Sequence, residues 1–360
     1  MKICYLAGAN SIHSYRWIKY FADSGHDVSW ISLVDSIFDP IEGVKFFKIH
    51  NARTIFSLAH SAIQVRAIVR NVRPEILHVH SVGTYGFLGL WSGAPKLIAT
   101  PWGSDIIFGS ESLIKRPFIR AVLQRSAVVT CDALHIRDRA VDLGVPSSRV
   151  RVINFGIDTE RFSPQGVDLS IREKYEVGRG PAVISLRNFE SVYDVETLIR
   201  AAPIVARTFP DVKFLLVGKG ALERALRSLV DELGASAYVR FIGFVANQTL
   251  PQTLSSADLY VSTSLSDAGI AASTAEAMAC GLPVVVTNSG ENSAWIEDGI
   301  NGMLVPVKNP VALAEKLVRV LGDGLLRSKL GAAGRLTIKQ RNDFYVEMGK
   351  MLAIYKDVAR

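Results

Sequence analysis

A two-domain α/β protein with parallel sheets is the architecture this sequence predicts, and three observations lead to it. At 360 residues the chain is too long for one comfortable core. Short apolar runs alternate with amphipathic runs from end to end, the pattern of strands joined by crossover helices. A polar connection containing Gly and Pro, at 156–181, interrupts the alternation, which then starts afresh. Apolar residues make up 49% of the chain and aromatics only 9%, so both halves can bury cores of small, closely packed side chains.

In the first half, strands are expected at 3–7, 28–32, 44–49, 76–80, 96–100, 127–130 and 151–154. Helical patterns fall at 12–23, 55–70, 112–125 and 133–143, with Gly25, Gly144 and Pro146 marking exits. In the second half, strands are expected at 182–186, 213–217, 239–241, 259–262, 283–287 and 303–305. Helices follow at about 194–208, 222–233, 249–256, 274–279, 310–321 and 325–339, and a long amphipathic run closes the chain at 343–358. Parallel α/β domains bind ligands at the carboxyl ends of their strands. The loops that matter are therefore 8–13, 81–85, 101–105, 187–193, 218–220, 243–245, 264–275 and 288–292.

Three cysteines (Cys4, Cys131, Cys280) lie far apart inside apolar patterns, which argues for buried thiols rather than a disulfide framework or a metal site. The chain opens without a secretory pattern and holds no run of about 18 apolar residues, so a soluble, cytoplasmic protein is expected. The net charge of +7 is uneven: residues 1–160 carry 18 basic against 13 acidic residues, and 161–360 carry 23 against 21. Between Gly43 and Pro74, Lys45, Lys48, Arg53, Arg66, Arg70 and Arg73 stand without an acid, interleaved with Phe46, Phe47, Ile55, Phe56 and Leu58. Basic plus aromatic residues over 45–73 suit contact with an anionic membrane, and equally an anionic substrate or a solvated helix face. No nucleic-acid-reading motif is present, so nucleic acid is not an expected partner.

The densest signal is 264–306, SLSDAGIAASTAEAMACGLPVVVTNSGENSAWIEDGINGMLVP. A small-residue loop including Gly269 feeds a helix that Ser273, Thr274 and Glu276 open, and Gly281 and Pro283 stop that helix before a buried strand. Free backbone N–H groups at such a helix start make an anion seat. Glu276 beside it can accept hydrogen bonds from a hydroxylated ligand. Phosphate plus hydroxyls points to a nucleotide or nucleotide-sugar, while ordinary helix packing explains the same composition equally well. In the first half, Asn10, His13 and Arg16 open the first helix and are candidates for contact with an acceptor. His13 reads equally as a satisfied helix histidine, with Trp17 in the core. His78 and His80 share one strand face, with no third metal ligand indicated.

Seven segments, in order, resemble the retaining nucleotide-sugar glycosyltransferases of family 4, which have the GT-B fold. They are MKICYLAGANSIHSYRW with GHDVSWIS; IATPWGSDII; RVINFGIDTERFSP; ISLRNFE; FLLVGKGALERALRSLVDELG; VRFIGFV; and EAMACGLPVVVTNSGENSAWIEDGINGMLVP. The resemblance implies two doubly wound, Rossmann-like domains facing a cleft, 1–160 on the acceptor side and 161–340 on the donor side. It also places a final helix, about 341–360, back on the first domain. Glu276 takes the place of the family's ribose-binding glutamate, Thr274 and Ala275 would offer N–H groups to the diphosphate, and Arg187 matches the loop arginine that contacts it. Gly8 would let the first domain approach closely, and Phe244 lies where the base is met.

Departures from the family pattern bear on the sugar pocket. Ala268 stands where a glutamate is expected, with Asp267 one residue earlier as its substitute. Val192 replaces a lysine, leaving Lys219 as a candidate cation. Trp102 stands in place of a histidine, while Asp105 is kept. The activity implied is retaining, metal-independent sugar transfer without a cofactor, from a nucleoside-diphosphate sugar to a glycan or polyprenyl-linked acceptor in cell-surface polysaccharide synthesis. An epimerase-like enzyme and a degenerate nucleotide-sugar-binding protein are the alternatives. Asp105, Arg187, Asp267 and Glu276 are the expected catalytic set.

Overall fold

The computed structural model describes residues 1–49, 55–267 and 269–360, so Arg53 and Ala268 lie outside the described residues. The chain divides into two compact units: Met1–Phe155 with Tyr345–Arg360, and Gly156–Phe344.

Unit 1 runs β1 (Lys2–Leu6), α1 (Ile12–Asp23), β2 (Asp27–Ser32), β3 (Lys45–Lys48), α2 (Ile55–Val72) and β4 (Ile76–His80). It continues through α3 (Thr84–Trp91), β5 (Leu97–Thr100), α4 (Ser104–Glu111), α5 (Arg116–Arg125), β6 (Val128–Cys131), α6 (Leu134–Asp142) and β7 (Val150–Val152). Its strands form a seven-stranded parallel sheet in the order β3-β2-β1-β4-β5-β6-β7. One face is covered by α2 to α6, whose Val65, Leu88, Ile119 and Ile136 meet Leu6, Leu77, Val79 and Val129 of the sheet. Trp17, Ile18 and Phe21 of α1 are fully buried elsewhere in the unit, and Phe21 packs edge-on to Tyr355 at 4.9 Å.

Unit 2 contains α7 (Leu169–Lys174), β8 (Ala182–Leu186), α8 (Val195–Ala206), β9 (Lys213–Val217), α9 (Glu223–Glu232), β10 (Val239–Gly243), α10 (Leu250–Ser255) and β11 (Leu259–Ser262). Then come α11 (Ala272–Ala279), β12 (Val284–Thr287), α12 (Asn292–Trp295), β13 (Met303–Val305), α13 (Pro310–Gly322), α14 (Gly324–Arg341) and α15 (Phe344–Ala359). All of α15 but its first residue belongs to unit 1. The six strands are parallel in the order β10-β9-β8-β11-β12-β13, with apolar clusters on both faces. Strands buried on both faces read as continuous apolar runs, which is why KFLLV and VVVT announce themselves.

The chain order reverses between β1 and β4 in unit 1 and between β8 and β11 in unit 2. At such switch points neighbouring connections leave to opposite faces and open a crevice at the carboxyl edge.

Three expectations need correction. The helix expected over 112–125 begins only at Arg116, as α5, because the chain turns at 112–115, and α4 before that turn was not expected. α3 is a helix where the sequence shows only a loop at 81–85 and no element at 86–91, since TYGFLGLW has no polar face to reveal its period. And α11 begins at Ala272, two residues before Thr274. All three cysteines are free and buried.

Candidate functional site

The switch point of unit 2 carries a buried ion pair. Arg187 follows β8 and Asp267 lies in the loop after β11, and the two are only 8% and 9% exposed. The Arg187 Nη2 donates to Asp267 Oδ2 at 2.8 Å, and its Nε donates to Ser262 Oγ at 2.8 Å. The Tyr193 ring lies 5.2 Å from the guanidinium carbon, close enough for a cation–π contact. Burial raises the Asp267 carboxyl above its ordinary range, and the Arg187 charge opposes that rise. Nη1 has no protein partner among the described residues, which leaves an N–H fork for an outside anion.

Close backbone packing holds this arrangement. A Cβ on Gly218 would lie 2.4 Å from the Arg187 carbonyl oxygen, so the β9 loop can meet the β8 loop only through glycine. Gly290, with φ +56°, presses just as closely on the Asp267 backbone; a Cβ there would fall 1.9 Å from the Asp267 carbonyl oxygen. The β11 loop is further tied to the β8 loop by Leu265 N–H to Val192 O at 2.8 Å and by the Thr263 hydroxyl to Asp194 O at 2.8 Å.

Helix α11 starts beside β11: the Tyr260 and Ser273 hydroxyls are hydrogen-bonded at 2.9 Å, and the Thr274 hydroxyl donates to Tyr260 at 3.4 Å. Ala271 at the N-cap supplies no side-chain hydrogen bond, so the first-turn donors are not capped locally. Ala275 was expected to offer its N–H outward. That N–H instead donates to Ala271 O at 3.0 Å and closes the first turn, which leaves the orphan donors to Ala272, Ser273 and Thr274. Glu276 is half-buried one turn in. Its charge, second to burial, pushes the Cys280 thiol up to about 12. Gly269 is buried at φ +65°. Lys219 is exposed and has no ion-pair partner among the described residues, and Phe244 stands 78% exposed after β10.

The carboxyl edge of unit 1 is built differently. His13 of α1 stacks on Phe155 at 4.3 Å, and Phe155 stacks on Trp102 at 4.8 Å. The Trp102 ring meets His80 edge-on at 5.2 Å. The His13 Nδ1, His80 Nε2 and Trp17 Nε1 atoms are buried with no protein partner. Burial lowers His13 to about 4, helped by the Arg16 charge, and lowers His80 to about 3, helped by His13. His78 is no metal ligand: its ring nitrogens are hydrogen-bonded to the Tyr355 hydroxyl and to Thr100 Oγ1, each at 2.6 Å.

Asp105 was expected in the catalytic set, but its carboxylate is committed to the main chain. It accepts from Trp102 N–H at 2.8 Å, Ile106 N–H at 3.0 Å and Val82 N–H at 2.7 Å, and so ties the β5 loop to the β4 loop. Gly8 is half-buried at the end of β1, where a Cβ would crowd Asn10 Oδ1 at 3.0 Å. Asn10 is exposed, and Arg16 lies near enough to His13 for its charge to act on that imidazole.

Tyr193, Ser262 and Phe155 belong to these sites and were not singled out in the sequence. Tyr193 adjoins the substituted position 192, and Phe155 precedes Gly156 in the segment RVINFGID, so both had a local signal. Ser262 had none.

Comparison with known proteins accounts for both units. The family profile described as "Glycosyl transferases group 1" matches residues 168–337, and "Glycosyl transferase 4-like" matches residues 2–133. The GDP-mannose-dependent alpha-(1-6)-phosphatidylinositol monomannoside mannosyltransferase of Mycolicibacterium smegmatis is 28% identical over 257 residues, covering 69% of this chain and 67% of that protein. The phosphatidyl-myo-inositol mannosyltransferase of the same organism is 26% identical over 98% of this chain and 91% of its own length. Other relatives are matched over less of their length, 58% for the putative glycosyltransferase EpsD of Bacillus subtilis and 43% for the phosphatidyl-myo-inositol mannosyltransferase of Mycobacterium leprae. The crystal structure of Anabaena HepE in complex with UDP-glucose shares the fold, with a TM-score of 0.83 at 18% identity over 99% of this chain and 100% of that one. The chain therefore belongs to the family-4-like nucleotide-sugar glycosyltransferases of GT-B fold.

Proposed function

We propose that this protein moves a sugar from a nucleoside-diphosphate sugar to a hydroxyl of a glycan or polyprenyl-linked acceptor, with retention at the anomeric carbon. The observation that carries this reading is the Arg187–Asp267–Ser262 arrangement at the β8/β11 switch point, on the strand next to the uncapped start of α11. The acceptor oxygen bonds to C1 as the C1–O bond to the diphosphate breaks, and the electron pair leaves with the diphosphate. A donor phosphate oxygen takes the hydroxyl proton. Charge that builds on the leaving group is stabilised by the free fork of Arg187 and by the orphan N–H groups of α11. Asp267 holds the guanidinium in place, and Glu276 accepts hydrogen bonds from the ribose hydroxyls. Lys219 and Phe244 serve the donor side, and His13, Arg16, Asn10 and Trp102 the acceptor side. With phosphate charge met by these groups, the reaction needs no metal.

Relatives named for GDP-mannose and a structural neighbour holding UDP-glucose support a nucleotide-sugar donor and define the first panel to test. A thermal-shift series with UDP-, GDP- and ADP-sugars should give one strongly stabilising base. Release of that nucleoside diphosphate in the presence of EDTA should then depend on a glycan or polyprenyl-phosphate sugar acceptor. Stabilisation by none of the donors would overturn the reading. The neutralisation of Arg187 by Asp267 favours a second reading, donor binding without turnover. It wins if a donor stabilises the protein while nucleotide release by the wild type is no faster than the blank and Arg187→Ala and Glu276→Ala do not change it.

A further inference from the structure

One side of unit 1 exposes apolar side chains that nothing in the unit covers. The turn between α4 and α5 presents Leu113 and Ile114, 87% and 79% exposed, at its tip. Phe108 on α4 and Phe118 on α5 stand exposed to either side of it. Phe118 meets Phe87 edge-on at 5.8 Å, and Phe87 lies 6.2 Å from the exposed Trp91, so the apolar surface continues onto α3. It carries on to α2, which packs beside α3 and exposes Phe56 and Ile63 two turns apart. Single exposed apolar residues are ordinary; a run across four packed helices marks an interaction surface.

Charge identifies the partner. Lys115, Arg116 and Arg120 are exposed around the tip, and Arg66 and Arg70 lie on the exposed face of α2. None of the five is in an ion pair among the described residues. Glu111 is the sole acid in 106–126. The expected basic stretch at 45–73 behaves otherwise at its start, because folding brings Asp27 to Lys45 at 3.3 Å and Asp35 to Lys48 at 2.5 Å. The unpaired charge therefore sits with the exposed apolar residues of α2 and the α4–α5 turn. Apolar tips ringed by free cations match the boundary between anionic headgroups and acyl chains. No helix among the described residues is long and apolar enough to cross a membrane, so the contact is one of surface docking.

We propose that this face of unit 1 docks on an anionic lipid surface, with Leu113 and Ile114 entering the headgroup–acyl boundary and Lys115, Arg116 and Arg120 holding the headgroups. The docking is independent of donor chemistry, and its test uses neither donor nor acceptor.

The full chain is sedimented with phosphatidylcholine vesicles and with vesicles that also hold about 30% phosphatidylglycerol. Binding to the anionic vesicles alone, weakening as salt rises, is expected. Leu113→Ser with Ile114→Ser should lower partitioning by at least about 10-fold, and charge reversal at Lys115, Arg116 and Arg120 by about 100-fold. Leu325→Ser, at a side chain 82% exposed in unit 2, should change nothing. Unchanged melting temperatures show that the variants are folded. The proposal is overturned if the wild type partitions equally onto neutral vesicles or onto none, or if the folded tip variant binds as the wild type does. It is also overturned if the tip variant instead turns a dimer into a monomer by light scattering, which would assign the face to a second copy of this chain.

Discussion

The two sheets dress their switch points in opposite ways. Unit 2 places charge there: a buried guanidinium–carboxylate pair, two serine hydroxyls and a helix start without a side-chain cap. Unit 1 places neutral rings there: His13, Phe155, Trp102 and His80, in ring contact and with imidazoles too desolvated to charge. The same crevice geometry thus yields a surface suited to a phosphate in one unit and one suited to a flat, uncharged ligand face in the other. What fills the crevice, and not the topology, sets the chemistry.

The largest test breaks the charged edge. Arg187→Ala should lower turnover by about 10²–10³-fold and cost roughly 3–5 kcal/mol in urea unfolding, because Asp267 is left buried without its partner. Adding Asp267→Ala should restore much of the stability and none of the turnover. Equal turnover in the double variant and the wild type would remove the anion site from this edge.

A second test sets the edges against each other with pH. His13 and His80 are less basic folded than unfolded, so from pH 6.5 down to about 4 and about 3 the unfolded chain binds more protons. Unit 1 is therefore most stable above pH 6.5 and loses stability as pH falls through that window, by about 3 kcal/mol for His13 alone. Asp267 has the opposite sign. Its carboxyl is raised in the fold, so the native state binds more protons just above the ordinary carboxylate range, and acidification through that range favours unit 2. Four of the five tryptophans lie in unit 1, so fluorescence-monitored urea unfolding of Trp295→Phe reports that unit. Equal unfolding free energies at pH 7 and pH 5 would refute the assignment.

A milder change sharpens the donor side. Glu276→Gln keeps shape and loses charge, and calorimetry should show the stabilising nucleotide binding about 10- to 100-fold more weakly. The smallest effect belongs to the stacked rings. Phe155→Leu should cost about 1 kcal/mol and leave nucleotide affinity untouched; a large loss of affinity would mean that unit 1 is not a neutral partner.

Much of the fold was legible because parallel strands buried on both faces are unbroken apolar runs. The strands 76–80, 182–186, 213–217, 259–262 and 303–305 read as they stand. Helices without a polar face, or interrupted by a short turn, did not: α3 is apolar all round, and the 112–115 turn that divides α4 from α5 carries no Gly or Pro. In the site, Arg187 and Asp267 could each be named from local sequence. That they form a pair, 80 residues apart in the chain, required β8 and β11 to be neighbours. The role of Asp105 in tying two loops together was not legible, because one of its three backbone donors, Val82, lies 23 residues away.

By itself the sequence determined the alternation of strands and helices, the place where it restarts and the small-residue helix start at 272–276, because these are properties of neighbouring residues. Only the tertiary structure decided which charges are spent. It neutralised Lys45, Lys48 and Arg187 with Asp27, Asp35 and Asp267, and left Lys115, Arg116 and Arg120 without an ion-pair partner among the described residues. The reason is physical: electrostatic partnership depends on distance through the fold and on exclusion of water, and neither is encoded in spacing along the chain.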